Sequence, residues 1–347
     1  MKFIKLSHGS GGVEMGDILS KLVFSKVDEK LKKVENGVGI DLPDDGAAIP
    51  LKNITNDYII LSTDAYTVNP PFFPGGNIGS LAATGSINDV VMTGGKPIAA
   101  LDSIVVEEGY PLDQLEIIVD SMIDVFKKEG VALIGGDFKV MPKGNLDKIL
   151  ITTTVLGLAK RPIVDIPKDG DVLVVSDFVG DHGAVIMLLQ MGVADKASEL
   201  KSGRLSSDIK PLTRLLPLID RFLDEINAAR DPTRGGIAGV LNEWAKNSGN
   251  LIVVEDVPIR DEVRRYAEML GIDPMYLASE GAAVFSVSAE VAEEFVEDMR
   301  DLGFENAKII GKVKKSEKYK GFVLKKTEIG GFRLLEPPRG EIVPRIC

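Results

Sequence analysis

One thiol occurs in the 347 residues, Cys347, and it stands last, in EPPRGEIVPRIC. A lone cysteine cannot close an internal disulfide and supplies only one sulfur to a metal, so neither a disulfide framework nor a cysteine-based zinc site is expected. What remains for it is the chemistry of a free thiol, as a nucleophile or as the carrier of a group. Its segment, from about residue 328, has three prolines and four charged residues in its last twelve, and reads as an extended, solvated, flexible tail. About 15 such residues reach some 50 Å at ~3.3 Å each. Prolines stiffen the segment and lessen the ordering entropy lost whenever it docks.

Carboxylates form the second set. Asp44 and Asp45 lie in PDDGAAI, Asp64 closes LSTD, Asn88 and Asp89 lie in SINDVVM, Asp137 closes IGGD, and Asp231 lies in ARDPTRGG. An aspartate at the end of an apolar strand sits at the rim of a sheet. Several rim carboxylates repel one another unless cations lie between them, and an all-oxygen site of that kind suits Mg²⁺, which in turn holds phosphates. The competing reading is turn formation and helix capping, since Asp before Gly is ordinary turn chemistry. The Gly-rich SHGSGG (7–12), with Gly9, Ser10, Gly11 and Gly12, allows backbone N–H groups close to phosphate, or is simply a solvated terminus. Neither a G-x-x-x-x-G-K-[ST] nor a G-x-G-x-x-G motif occurs, so a P-loop ATPase and a Rossmann dehydrogenase lack support.

Further positions complete the inventory. DPTRGG opens a helix with two glycines beside Arg234, an arrangement able to hold an anion. His182, in GDHGA, is a proton carrier or a polar residue at a helix start; the other histidine is His8. Glu280 in LASEG and Lys139 after GGDF read, from their spacing alone, as ordinary surface charges.

The elements that must position these residues alternate. Tyr58–Asp64, 101–106, 131–137 and 149–159 are rich in Val, Ile and Thr and read as strands, with helices over 77–92 and 111–130. The second helix is opened by Pro111, carries the stripe Leu115, Ile118, Met122 and Phe126, and closes on Lys127, Lys128 and Gly130. KRPIVDIPKDGD (160–171) reads as a linker. Beyond it come a strand (171–177), a helix (183–192), a long helix after Pro211, a helix near 234–247, a strand at LIVVEDV, a helix at RDEVRRYAEMLG, a strand at AAVFSVS, a helix at AEVAEEFVEDMRDLG, and strands near 307–313 and 321–325. Four parts result: an N-terminal segment with a first helix (1–40), two α+β domains (41–158 and 165–325), and the tail (328–347).

Composition fits that plan. Hydrophobic residues at 44% and charged residues at 27% are the balance of a globular protein. No apolar run nears the ~18 residues of a membrane span, and no signal peptide opens the chain. A net charge of −11 without a basic stripe speaks against nucleic acid as a partner. A reduced thiol suggests the cytoplasm.

HGSGG, DDGAA, INDVVMTGG, GGD, GDHG, RDPTRGG and the terminal PRIC, with IGGFRLL before it, occur in an order that resembles the HypE family of hydrogenase maturation factors. That family belongs to the superfamily of aminoimidazole ribonucleotide synthetase and selenophosphate synthetase. The resemblance covers essentially the whole chain; one departure is AVIMLLQMGV after GDHG, where a more charged helix surface is expected. It implies a two-domain PurM-like fold, paired as a homodimer through the N-terminal sheets, with ATP in the groove between domains. It implies an activity: carbamoyl dehydratase, acting on a carbamoyl group that the carbamoyltransferase HypF places on Cys347. The product is a thiocyanate, whose cyano group passes to iron on a HypC–HypD complex for the nickel–iron hydrogenase centre. It implies roles: Glu280 as base, Lys139 stabilising oxygen or phosphate in an ion pair with it, Asp45, Asp64, Asp89 and Asp137 with Asp231 around Mg²⁺ and the triphosphate, Asn88 beside them, and the SHGSGG glycines over the phosphates. Two other readings stay open: a sibling enzyme that phosphorylates a purine intermediate, thiamine phosphate or selenide, and a thiol carrier or scaffold that performs no dehydration.

Overall fold

The structure is a computed structural model. It describes residues 12–19, 42, 47–50, 58–194, 197–327, 329–340, 342–343 and 345–347.

The first domain is a five-stranded sheet covered by two helices. In chain order, among the described residues, it holds α1 (Gly12–Leu19), β1 (Ala47–Pro50), β2 (Tyr58–Tyr66), the short pair β3 (Phe72–Phe73) and β4 (Gly76–Asn77), α2 (Ile78–Met92), β5 (Lys96–Glu107), α3 (Leu112–Lys128), β6 (Ala132–Met141) and β7 (Ile149–Ala159). The sheet order is β1-β2-β7-β5-β6, with only β5 and β6 parallel, as the intervening α3 requires. β7 alternates buried and half-exposed residues along its length, the mark of one covered face. α3 buries Ile118, Met122 and Phe126, the stripe its spacing predicts.

α2 positions the chemistry. Asn77 caps it by accepting N–H bonds from Gly79 and Ser80, and Ser80 returns a bond to Asn77 N–H. It is buried on nearly every side, so small residues replace an amphipathic stripe. Ala82, Ala83 and Ser86 pack beneath β7, with Ser86 Oγ 2.6 Å from Thr153 Oγ1. This close seat carries Asn88 and Asp89, near the helix's C-terminal end, to the edge of the second domain.

The second domain is a seven-stranded sheet in the order β14-β13-β10-β12-β8-β11-β9. Its elements are β8 (Val172–Val175), α4 (Asp181–Gln190), α5 (Ser198–Lys201), α6 (Leu216–Arg221), β9 (Ile226–Arg230), α7 (Gly236–Ser248), β10 (Leu251–Val254), α8 (Asp261–Met269), β11 (Val284–Val287), α9 (Ala292–Asp301), β12 (Lys308–Lys314), β13 (Val323–Lys326) and β14 (Phe332–Leu334). Three expectations change here. The long helix after Pro211 is a single turn (213–215) and then six-residue α6; the chain turns at Phe222 and Asn227 enters an edge strand, β9, that composition did not reveal. The AVIMLL part of α4 is not a helix surface: residues 181–188 are buried, which is why the charges expected there are missing. And the end of the tail is not solvated, although residues 329–334 are exposed. Leu335, Val343, Ile346 and Cys347 are buried, because these apolar side chains find a groove between the domains. No helix among the described residues is long and apolar enough to cross a membrane.

Candidate functional site

Acidic side chains from both domains meet where the tail ends. Asp64 comes from β2, Asp89 from α2, Asp231 from the turn after β9, and Glu280 from the loop before β11. Loss of water and mutual repulsion act in the same direction on them. Asp89 is pushed well above the usual carboxylate range by burial, then by Asp231 and Asp64; the Ser62 hydroxyl, donating to Oδ2 at 2.6 Å, and Arg230 oppose this. Glu280, 1% exposed, is raised by burial, then by Asp231, Asp208, Asp64 and Asp89. Its Oε1 meets no hydrogen-bond donor among the described residues. Asp64 is raised by burial and eased by Arg234, whose Nη2 is 3.7 Å away. Carboxylates so arranged are short of positive charge.

Cys347 sits in this group. Burial raises its thiol far above the usual range, Arg234 opposes that, and Glu280, Asp64 and Asp231 add to it. The Arg234 pKa is in turn raised, first by Cys347 at the chain terminus and then, against burial, by Asp64, Tyr66 and Glu280. The docked sulfur is therefore a neutral S–H, a poor nucleophile in this position.

Main-chain contacts hold the tail. Val13 N–H donates to Pro338 O, and the Glu14 carboxylate accepts from Gly340 N–H, so Gly12 and α1 lie against the tail. Asn69 N–H donates to Arg345 O and Thr67 N–H to Cys347 O, each at 3.1 Å. Arg345 Nε donates to Thr67 O at 2.8 Å.

The structure thus brings Asp64, Asp89, Asp231, Glu280, Arg234 and Cys347 together. It places others elsewhere. Asn88, expected beside the nucleotide, spends its side chain on the protein: Nδ2 donates to the carbonyls of Lys210 and Glu280, and Oδ1 accepts from Leu212 N–H. Its role is to pin the second domain to α2. Asp137 and Lys139 pair with each other at 3.2 Å on the exposed edge strand β6. The cross-strand row Asp64–Thr153–Asp102–Gly136 puts Asp137 three strands from Asp64, about 14 Å at ~4.8 Å per strand. The expected Lys139–Glu280 ion pair is accordingly absent within one chain, and Lys139 here is a surface charge. His8, Gly9, Ser10, Gly11, Asp44 and Asp45 lie outside the described residues.

Asp208 is the site residue that motif reading missed. SSDIKP looks like turn chemistry, yet the Asp208 carboxylate accepts backbone N–H bonds from His182, Glu280 and Gly281 at 3.2, 3.1 and 3.2 Å. Gly281 is required there, since a Cβ would stand 1.9 Å from Asp208 O. Burial, then Asp181, lifts Asp208 to about 7 against those bonds.

No group of three or more His, Cys, Asp or Glu among the described residues encloses a ready metal site.

Comparison with known proteins gives this geometry a setting. The family model described as AIR synthase related protein, N-terminal domain, matches residues 43–159, and that of the C-terminal domain matches 168–324. A carbamoyl dehydratase HypE from Azotobacter vinelandii is 36% identical over 99% of this chain and 97% of its own. A crystal structure of the hydrogenase maturation protein HypE in complex with ATP is 35% identical, with a TM-score of 0.78 over 99% of this chain and 100% of that one. The chain in a HypE–HypF complex is 33% identical, with a TM-score of 0.81 over 92% and 99%.

Proposed function

The chain belongs to the HypE family of carbamoyl dehydratases, within the AIR synthase related proteins, and from that premise we propose that it dehydrates a carbamoyl group carried on Cys347 to a thiocyanate at the expense of ATP. The observation that carries this reading is the burial of Cys347 beside Arg234, Glu280, Asp64 and Asp231.

The chemistry follows from the group to be removed. Hydroxide is too poor a leaving group to depart from a carboxamide. Transfer of a phosphoryl group from ATP to the amide oxygen converts it to phosphate. The nitrogen then loses its protons, the C–O bond breaks, the oxygen departs with the phosphate, and S–C≡N remains. Glu280 is the base; its buried Oε1 has no hydrogen-bond partner among the described residues. Arg234 is the cation beside the sulfur-bound group and steadies negative charge on the activated amide oxygen. One or two of Asp64, Asp89 and Asp231 would hold Mg²⁺ together with the triphosphate, where it would neutralise phosphate charge. Positive charge at that position would also lower the Glu280 carboxyl toward a form able to accept a proton.

The thiol's high pKa when docked supports loading outside the site. The tail swings out, a carbamoyltransferase of the HypF type loads the free thiol, and the tail returns. The cyano group then leaves to an iron acceptor of the HypC–HypD type, in the reducing cytoplasm. Lys139 and Asp137 reach such a site only from another copy of the chain. The exposed Leu101, Leu133, Phe138 and Val140 on β5 and β6 support a homodimer through that sheet.

Asp89→Asn tests the nucleotide half of this reading. Burial and the neighbouring Asp231 and Asp64 push the Asp89 carboxyl upward, so an uncharged asparagine of the same shape relieves repulsion and the fold should keep its melting temperature. The variant cannot bind a cation. Calorimetry should show ATP affinity in Mg²⁺ reduced about tenfold or more, ~1.4 kcal/mol or above. Parental affinity would remove Asp89 from the metal shell.

A further inference from the structure

The main-chain oxygens of the docked tail, the terminal carboxylate included, are taken alternately from two sides. Arg345 O accepts from Asn69 N–H and the Cys347 carboxylate oxygen from Thr67 N–H. Ile346 O, between them, faces the other way and lies 2.8 Å from His182 Nε2. A carbonyl can only accept, so Nε2 carries the hydrogen. His182 Nδ1 lies 2.7 Å from Ser207 Oγ, and in the neutral ring this nitrogen accepts from the hydroxyl. Phe73 packs edge-on against the imidazole, with centroids 5.4 Å apart, and burial draws the His182 pKa down to about 4. Both nitrogens are engaged and the ring is neutral, so His182 is neither a proton carrier nor a helix-start cap.

Ser207 is itself fixed, its N–H donating to Pro74 O at 2.8 Å. The next residue, Asp208, holds the backbone of Glu280 and of His182. One dipeptide therefore anchors both the ring that grips the thiol's neighbour and the loop that carries the base.

We propose that His182, oriented by Ser207, is a positioning residue: its Nε2–H bond to the Ile346 carbonyl latches the tail and sets where the Cys347 sulfur stands relative to Glu280. The reactive consequence rests on the dehydratase reading above; the latch itself does not. The bond contacts main chain, so it serves the tail before and after loading.

The single thiol makes the test direct, because alkylation of Cys347 reports tail release with no background from other cysteines. His182→Ala should speed alkylation about tenfold, the worth of one buried neutral hydrogen bond. It should slow dehydration of the loaded chain about ten- to a hundredfold through misplacement of the sulfur. ATP affinity should stay at the parental value, which also shows that the variant folds, and loading by the carbamoyltransferase should be no slower than in the parent. His182→Gln, which keeps an N–H donor near the Nε2 position, should recover most of both losses, and Ser207→Ala should fall between. In ¹⁵N-histidine-labelled parent protein, with two histidines in the chain, His182 should appear as the neutral ring protonated at Nε2. An unchanged alkylation rate in His182→Ala, or an Nδ1-protonated ring, would overturn the latch. A parent chain that never dehydrates its loaded thiol would instead overturn the activity, leaving the alkylation and tautomer results to judge the latch alone.

Discussion

The Cys347→Ser chain is expected to accept no carbamoyl group and to form no thiocyanate, while binding ATP as the parent does. Serine nearly matches cysteine in size, so the buried end of the tail should still dock beside Arg234 and the acidic group. What is lost is the thiolate, the reactive form of cysteine, whose free pKa of about 8.5 leaves a useful fraction ionised near neutral pH. A serine hydroxyl offers no comparable nucleophile, and the chain has no second thiol to take over. Incubation with the carbamoyltransferase and carbamoyl phosphate, followed by intact-mass measurement, checks this. Loading of the serine variant at the parental level would move the acceptor to another residue.

Glu280→Gln should stall one step later. Glutamine keeps the size and hydrogen-bonding reach of the side chain but cannot take a proton. Glu280 is buried and its carboxyl is pushed upward by burial and by the surrounding carboxylates, so an uncharged amide of the same size should cost little stability. ATP binding and loading should proceed, and the carbamoyl form should accumulate on Cys347. Loss of a general base typically lowers the rate by about 10²–10⁴. The surface-charge alternative for Glu280 does not survive its burial, whereas the same alternative does describe Lys139, which is exposed and paired with Asp137. Thiocyanate formation by Glu280→Gln at the parental rate would require another base, and His182, with both nitrogens engaged, is poorly placed to be one.

Much of this was legible in residue order. The apolar, β-branched runs became β2, β7 and β10, and the stripe on α3 buried the side chains its spacing indicated. Asp64, Asp89 and Asp231 stood out because each sits in a rim-like context, and they do converge. The misreadings have physical causes. INAAR is short, and the turn before it contains neither glycine nor proline, so nothing local separates it from α6. The tail's prolines and charges suggested solvent, but docking is decided by a few apolar side chains, Val343, Ile346 and Cys347, that match a groove built by distant residues. Asp208 acts through backbone partners 26 and 72 residues away, His182 and Glu280, a pairing that turn chemistry cannot announce. Lys139 and Asp137 were separated from Asp64 by strand order, which puts β7 and β5 between them.

The most direct measurement follows the mass of the parent chain through one turnover. The protein is loaded with carbamoyl phosphate and the transferase, freed of both, and then given Mg²⁺ and ATP. The account predicts that the mass first rises by one carbamoyl group on Cys347 and then, only after ATP is added, falls by one water. A loaded chain that holds its full carbamoyl mass in the presence of ATP would contradict the dehydration and leave Cys347 as a carrier.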